Sequence, residues 1–186
     1  MPEYAHRLLP FLTMRKNLAG FIVALYLLTA WTPEGYSQES IEAGFSPSPG
    51  AIILIEEAIN QAQISVDIAA YSFTSQKVAN ALIEANRRGV AVRVLLDKGQ
   101  DKRHYKAIEE LRGAGIPIRI NSRYAIMHDK YIIVDGQTVE TGSFNYTASA
   151  EHRNAENVIV IKNNKKLALE YTENWQKLWD EGEEYQ

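Results

Sequence analysis

Residues 127–145 read MHDKYIIVDGQTVETGSFN, and this stretch decides the fold of the chain. Apolar residues dominate on both sides of the pair Asp135-Gly136, which predicts two strands, 127–134 and 138–142. An Asp-Gly pair between two such runs is a strong signal for a tight hairpin turn. The hairpin would leave polar residues at its open end, where the first strand begins and the second ends.

The pattern before the hairpin alternates between helical and extended stretches. Apolar residues at helical spacing are followed by short, mostly apolar runs, and this succession occurs three times. The predicted helices lie near 52–62, 78–85 and 105–111, and the predicted strands lie at 64–73, 90–96 and 116–120. Such an alternation of helices and strands implies right-handed crossovers and a parallel sheet.

A further strand and a last helix follow the hairpin. The strand is predicted over 157–161. The apolar face of the helix consists of Leu167, Tyr171, Trp175, Leu178 and Trp179. We therefore predict one α/β domain over residues 38–186, in which a mixed, partly parallel sheet lies between layers of helices.

The composition excludes several kinds of site. The chain has 186 residues, with 20 Lys and Arg against 23 Asp and Glu, so a site for a polyanion must be a local patch. Because the chain has no cysteine, disulfides, thiolate catalysis, zinc ribbons and iron–sulfur clusters are excluded. Four histidines and the carboxylates remain as metal ligands, and no cluster of carboxylates suited to Mg²⁺ stands out. We therefore expect neither a metal ion nor another cofactor.

The first 37 residues differ from the rest of the chain and are typical of a secretory signal. Arg15 and Lys16 precede the apolar run LAGFIVALYLLTAW at 18–31, and small residues follow it. A positive start, an apolar centre and a small-residue exit are the three parts of such a signal. We expect cleavage after Ser37, with Ala30 as a weaker alternative, and export to the periplasm or the medium.

An uncleaved membrane anchor is the main alternative for this segment. The apolar run at 18–31 is shorter than the 18 or more residues of a spanning helix, but tilting or flanking residues could extend it. A buried core helix is less favoured because the run lacks a polar face. Met14, directly before Arg15, is an alternative start of the chain. Contact with a membrane is expected only if the segment stays uncleaved.

Four polar residues at the open end of the hairpin suit the chemistry of phosphodiesters. His128 and Lys130 are two apart on a predicted strand and would point to the same side, whereas Asp129 would point away. An imidazole can attack phosphorus, and a lysine can hold the non-bridging oxygens by its positive charge. Ser143 and Asn145, beyond the paired strand, would add neutral hydrogen-bond donors to the same oxygens.

The spacing of these residues resembles the signature of the phospholipase D superfamily. The pattern H-x-K-x4-D-x6-G-S-x-N is matched by His128, Lys130, Asp135, Gly142, Ser143 and Asn145. With the α/β pattern around it, the chain is similar over most of 48–182 to the small secreted bacterial endonucleases of that superfamily. The resemblance implies a phospholipase D-like fold, an Asp135 that supports the architecture more than it touches substrate, and a Glu156 that orients the ring of His128.

Structural explanations stay open for some of these positions. Asp135 precedes glycine, an order that a hairpin turn favours, so the turn alone could explain this residue. Ser143 and Asn145 could instead cap a turn. Glu156 could be an ordinary surface charge.

Basic residues elsewhere could form the local patch that a polyanion needs. Those in or near loops after predicted strands, where ligand crevices form in open α/β sheets, are Lys98, Lys102, Arg103, Lys106 and Arg123. A solvated helix face, with Glu109 and Glu110 as counter-charges, explains them equally well. His104 begins a second H-x-K, but on a predicted helix, where residues two apart do not share a face. We expect His104, His152 and Arg153 at the surface, with contact of His152 and Arg153 with nucleic acid as a weaker alternative.

The chain carries one copy of the signature, whereas larger members of the superfamily carry two, whose histidines face each other across one site. A nucleophile needs an opposing acid that protonates the leaving oxygen. We therefore expect a two-fold homodimer in which one His128 attacks the phosphorus and the second His128 acts as the acid. Lys130 and Asn145 of both chains would hold the phosphate oxygens.

The predicted function is metal-independent hydrolysis of phosphodiesters by an endonuclease that acts on DNA, with RNA as a further option. A lipid phosphodiesterase of the phospholipase D type ranks second, because the short chain has little room for a pocket that holds acyl chains. A catalytically silent module that binds nucleic acid or the cell envelope ranks third. The complete set of His128, Lys130 and Asn145 argues against it.

Overall fold

An eight-stranded sheet runs through residues 38–100 and 105–186, the part of the chain that the computed structural model describes. Its strands are β1 (Ser40–Ser46), β2 (Ser65–Ala70), β3 (Ala91–Asp97), β4 (Ile118–Asn121), β5 (Lys130–Val134), β6 (Thr138–Gly142), β7 (Glu156–Lys162) and β8 (Glu183–Glu184). The helices are α1 (Gly50–Gln61), α2 (Gln76–Arg87), α3 (Lys106–Gly113), α4 (Ala148–His152) and α5 (Lys165–Asp180). Neighbouring strands follow the order β1-β7-β6-β5-β2-β3-β4-β8.

The sheet is mixed, as the sequence predicts. β2, β3 and β4 are parallel neighbours, joined by the crossovers that contain α2 and α3. All the other neighbours are antiparallel. β5 pairs with β2, from Val66 opposite Val134 to Ala70 opposite Lys130, and thereby attaches the hairpin to the parallel half of the sheet.

Helices cover both faces of the sheet because the central strands β2, β3 and β5 are buried on both sides. One core contains buried apolar residues of α1, α2 and α3, for example Ile55, Leu82 and Ile108. Within each helix the buried residues recur at helical spacing and form one apolar face. The other core lies under α5 and contains Trp175 and Trp179, whose rings stack at 4.8 Å. The predicted α/β architecture, with a sheet between helix layers, is confirmed.

The hairpin of β5 and β6 forms around Asp135-Gly136, as predicted, and both turn residues have positive φ angles, 53° and 60°. Its first strand is shorter than the predicted 127–134, because regular pairing begins only at Lys130. The hydrogen bond from Tyr71 N to Asp129 O, 3.0 Å long, extends the contact with β2 by one residue. His128 therefore lies just before the strand, not within it.

Three elements are not predicted from the sequence, namely β1, α4 and the two-residue β8, and one predicted segment lies outside the described residues. β1 at the sheet edge leaves Ile41 and Phe45 exposed, so its pattern lacks the usual signature of a half-buried strand. The one-turn helix α4 is too short for a periodic pattern. The predicted signal or anchor at 1–37 falls outside the described residues. Within the described ones, no helix is both long and apolar enough to cross a membrane.

A buried carboxyl lies in the middle of β6. Glu140 is 1% exposed, and the hydroxyl of Tyr146 donates a 2.7 Å hydrogen bond to it. Burial raises the pKa of Glu140 to about 8, although the hydrogen bond from Tyr146 opposes this shift. At neutral pH the folded protein therefore keeps a proton on Glu140 that the unfolded chain releases.

We predict that this proton makes the fold less stable as the pH rises. The contribution is fully present below the ordinary pKa of 4.5 and is lost as the pH rises through about 8, at a slope of up to about 1.4 kcal/mol per pH unit. Glu140→Gln keeps an acceptor for Tyr146 and removes the titration, so its melting temperature should exceed that of the wild type at pH 8. The exposed Glu57→Gln is the control and should follow the wild type. An unchanged pH slope in Glu140→Gln would contradict the prediction.

Candidate active site

A cavity of about 640 Å³ opens where β5 begins, β6 ends and β7 begins. The antiparallel order of these strands brings the three points to one edge of the sheet, beside the carboxyl end of β2. Ligands bind outside the carboxyl ends of strands in open α/β sheets. The lining residues are His128, Asp129, Lys130, Tyr131, Thr141, Gly142, Ser143, Asn145, Glu156, Glu170, Tyr171 and Asn174.

His128 and Lys130 share this cavity, as their spacing predicts. The Lys130 Nζ donates a 2.7 Å hydrogen bond to the carbonyl oxygen of His128, so the ammonium is held beside the backbone of the histidine. Burial lowers the pKa of Lys130, while the carboxylates of Asp129 and Glu156 act in the opposite direction. The cavity thus presents an imidazole and a partly desolvated ammonium side by side.

Ser143 and Glu156 form a hydrogen-bonded pair across the strands. The Ser143 hydroxyl donates to Glu156 Oε2 at 2.6 Å and accepts from Asn157 N at 3.1 Å. Asn154 Nδ2 donates to the other oxygen of the carboxylate at 2.9 Å. In the described part of the chain, Glu156 therefore bonds Ser143 and Asn154 and makes no hydrogen bond to His128, which differs from the expected role of orienting that ring.

Gly142 of the signature lies where the backbones of β6 and β7 approach each other closely. A Cβ at this position would lie 2.1 Å from the carbonyl oxygen of Asn157, closer than any side chain tolerates. The close approach lets Ser143 N donate to Asn157 Oδ1 at 2.9 Å. The glycine of the motif thus allows β7 to hold Ser143 at the cavity.

Asn145 projects from a turn whose neighbours are anchored in the core. Phe144 and Tyr146 are buried on either side of it, and Thr147 N donates to the Asn145 carbonyl oxygen at 2.6 Å. The Asn145 Oδ1 is buried and makes no hydrogen bond within the described residues. The Asn145 side chain therefore lines the cavity, while its buried oxygen has no hydrogen-bond partner within the described residues.

Asp135 does not join the residues around the cavity. Its carboxylate lies at the closed end of the hairpin and accepts hydrogen bonds from the backbone N–H groups of Gln63, Ile64 and Ser65, the shortest 2.7 Å long. It therefore ties the start of β2 to the turn. This position fits the architectural role that the resemblance implies for Asp135.

Asp129 lines the cavity, whereas strand alternation predicts that it points away. It is half-buried, and burial raises the pKa of its carboxyl although Lys130 and His128 act in the opposite direction. The alternation fails because 127–129 precede the regular strand. Asp129 thus adds a carboxyl group to the same opening.

The far wall of the cavity, which α5 supplies, is not predicted from the sequence. Asn174 donates a 3.0 Å hydrogen bond to the hydroxyl of Tyr131, and Tyr171 packs edge-on against the Tyr131 ring at 4.9 Å. Glu170 and Tyr171 lie four and three residues before Asn174, so both share one side of the helix with it. That polar patch beside the apolar face is the signal that could have found them.

The other described candidate residues do not line the cavity. Lys102, Arg103 and His104 lie outside the described residues. Lys106 is 3.5 Å from Glu110, and Arg123 is 3.5 Å from Glu181, so both face carboxylates. Lys98 donates to the backbone oxygen of Tyr124. His152 and Arg153 are exposed, at the end of α4 and just after it. Within 38–100 and 105–186, no group of three or more carboxylates and histidines is arranged to hold a metal ion.

Comparisons with known proteins place this site in context. Residues 55–179 match the family model described as "Cardiolipin synthase, PLD-like domain". A phospholipase D of Rickettsia prowazekii is 41% identical over 86% of this chain and 77% of its own, and a mitochondrial cardiolipin hydrolase of Chlamydomonas reinhardtii is 31% identical over 80% and 65%. The crystal structure of Nuc from Salmonella typhimurium, a phospholipase D family member, superposes with a TM-score of 0.77 at 41% identity, over 80% of this chain and 99% of that one.

We predict that His128→Ala and Lys130→Ala abolish hydrolysis of the activated diester bis(p-nitrophenyl) phosphate. Loss of a nucleophile or of the charge that binds the phosphoryl oxygens typically removes several orders of magnitude in kcat. His152→Ala is the matched control, since its exposed ring lies outside the cavity, and it should keep most of the activity. Equal inactivity of His128→Ala and His152→Ala, with unchanged circular dichroism, would show that the site lies elsewhere.

Proposed function

The chain belongs to the phospholipase D superfamily and is a phosphodiesterase, and we propose that it acts as an endonuclease that cuts DNA or RNA without a metal ion. The observation that carries this proposal is that His128, Lys130, Ser143 and Asn145 all line the same cavity. A phosphodiester linkage needs a nucleophile and donors for its oxygens. His128 supplies the nucleophile, and the Lys130 ammonium and the Asn145 amide supply the donors.

The proposed reaction has two balanced steps. In the first, a His128 imidazole nitrogen forms a bond to phosphorus, the P–O bond to the leaving alkoxide breaks, and an opposing imidazolium gives that alkoxide its proton. In the second, water attacks the phosphohistidine, the opposing imidazole takes a proton from the water, and the P–N bond breaks. Lys130 stabilises the negative charge on the non-bridging oxygens, the work that a metal ion performs in other nucleases.

We propose that a second copy of this chain supplies the opposing imidazole. One chain carries one His128 at its cavity, and the two roles in the reaction need two such groups. A two-fold axis through the cavity opening would provide both, since each interface residue then meets its own symmetry mate. The two Lys130 side chains would also concentrate positive charge on a protein whose formal charge is −3.

A lipid phosphodiesterase is the second candidate, and the names of the relatives favour it. The similar proteins from Rickettsia are called phospholipase D, and those from Chlamydomonas and Xenopus are called mitochondrial cardiolipin hydrolase. The phosphoryl chemistry would be the same, and only the groups on either side of the phosphate would differ. The silent binding module is the weakest candidate, because the side chains of the signature converge on one opening.

We also propose that the chain is exported, with residues 1–37 as its signal and the domain from residue 38 acting in the periplasm or outside the cell. The charges and the apolar run of that segment support this proposal. The anchor alternative would place the same domain at a membrane surface.

We predict that the purified protein nicks and linearises supercoiled plasmid in millimolar EDTA, because the positive charge at the phosphate comes from Lys130. The rate is measured by gel, and in a parallel assay labelled phosphatidylcholine and cardiolipin vesicles are tested for release of head groups or diacylglycerol phosphate. Complete loss of nicking in EDTA, restored by Mg²⁺, would contradict the metal-independent mechanism. Lipid hydrolysis without nicking would replace the nuclease by the second candidate.

We predict that the inactive His128→Ala subunit poisons the wild type when the two are mixed and allowed to exchange. Each mixed dimer would hold one imidazole where two are needed, so activity should fall toward the fraction of dimers that are wild type in both subunits. His152→Ala subunits should cause no such loss. A protein that sediments as a monomer at the assay concentration and still works at full rate would contradict the shared site.

A further inference from the structure

Tyr71 contacts both reactive side chains without lining the cavity. Its ring centroid lies 4.5 Å from that of His128, with the planes inclined at 58°. The Lys130 Nζ lies 5.2 Å from the same centroid, within the range of a cation–π interaction. Tyr71 is absent from the residues around the opening, so its ring supports the two side chains from outside.

The sheet places Tyr71 there. It is the first residue after β2, and its backbone N–H donates to the Asp129 carbonyl oxygen at 3.0 Å. Asp129 stands between His128 and Lys130 in the chain, so this one bond brings the tyrosine next to the residues on either side. The last regular pair of the two strands, Ala70 with Lys130, fixes the same register.

We propose that Tyr71 is a positioning residue, which fixes the His128 imidazole and the Lys130 ammonium relative to each other. A packed ring limits the rotamers of the imidazole, and the negative face of the ring holds the ammonium. The inference rests on the phosphodiesterase activity and the geometry of the site, not on the nature of the natural substrate. It therefore stands or falls independently of the proposal that the substrate is nucleic acid.

The ammonium of Lys130 is held from two directions. The carbonyl oxygen of His128 accepts its hydrogen bond, and the Tyr71 ring faces it from β2. The titratable groups that also act on its charge are Asp129, which precedes it in the chain, and Glu156 from β7. These groups are unchanged when Tyr71 is replaced, so a change in the behaviour of Lys130 would report on the ring.

The test measures kcat, KM and the pH–rate profile with bis(p-nitrophenyl) phosphate, which carries neither a base nor a lipid. Tyr71→Phe keeps the ring, which makes both contacts, and should stay within about twofold of the wild type. Tyr71→Leu keeps apolar volume but removes the ring, and its kcat should fall roughly 10- to 100-fold with little change in KM, since misplaced groups slow the chemical step. Tyr124→Leu, which removes an exposed tyrosine away from the cavity, is the matched control and should equal the wild type.

Replacement of Tyr71 by pentafluorophenylalanine settles the case even if Tyr71→Leu fails to fold. The fluorinated ring keeps the shape but reverses the charge distribution of the face. It no longer favours the charge of the Lys130 ammonium, so kcat should fall below that of Tyr71→Phe with little change in KM. A kcat equal to that of Tyr71→Phe would overturn the proposal. Equal losses in Tyr71→Phe and Tyr71→Leu would overturn it too, because the hydroxyl and not the ring would then be what matters.

Discussion

Three backbone N–H groups at the start of β2 converge on one carboxylate, that of Asp135 in the hairpin turn. Charge-assisted bonds of this kind are among the stronger hydrogen bonds in proteins. They fix the register of β2 against β5, in which Val66 meets Val134 and Ala70 meets Lys130. Because a slip of one residue would send every side chain of the strand to the other face, the far end of the pair depends on this contact. The position of Lys130 at the cavity is thus set from the opposite end of its strand.

The second wall of the site is fixed by packing against β7 and the core. Gly142 allows the backbone of β7 to approach, and Ser143 and Glu156 then bond across the gap. Tyr146, bonded to the buried Glu140, anchors the turn that carries Asn145. Each polar side chain at the opening therefore has a neighbour in the sequence that is buried or paired. Such support keeps a site in one geometry before any substrate binds.

The sequence predicts the features that depend on local spacing. The hairpin follows from Asp135-Gly136, and the meeting of His128 and Lys130 with Ser143 and Asn145 follows from pairing across it. It could not predict features that depend on which distant segments become neighbours. The contacts of Tyr71 with His128 and Lys130 require β2 to lie beside β5. The hydrogen bond between Ser143 and Glu156 requires β7 to lie beside β6. It also placed Asp129 wrongly, because alternation holds only inside a regular strand.

β1 determines which strand forms this edge of the sheet. It pairs along the whole of β7, so the backbone groups on the outer side of that strand meet partners within the same chain. A shortened chain that began after Ser46 would leave those groups open, and an unprotected edge strand is a template for pairing with other molecules. Self-association through β7 would disturb the strand that starts with Glu156. β1 thus moves the open edge of the sheet one strand away from Glu156 and the site.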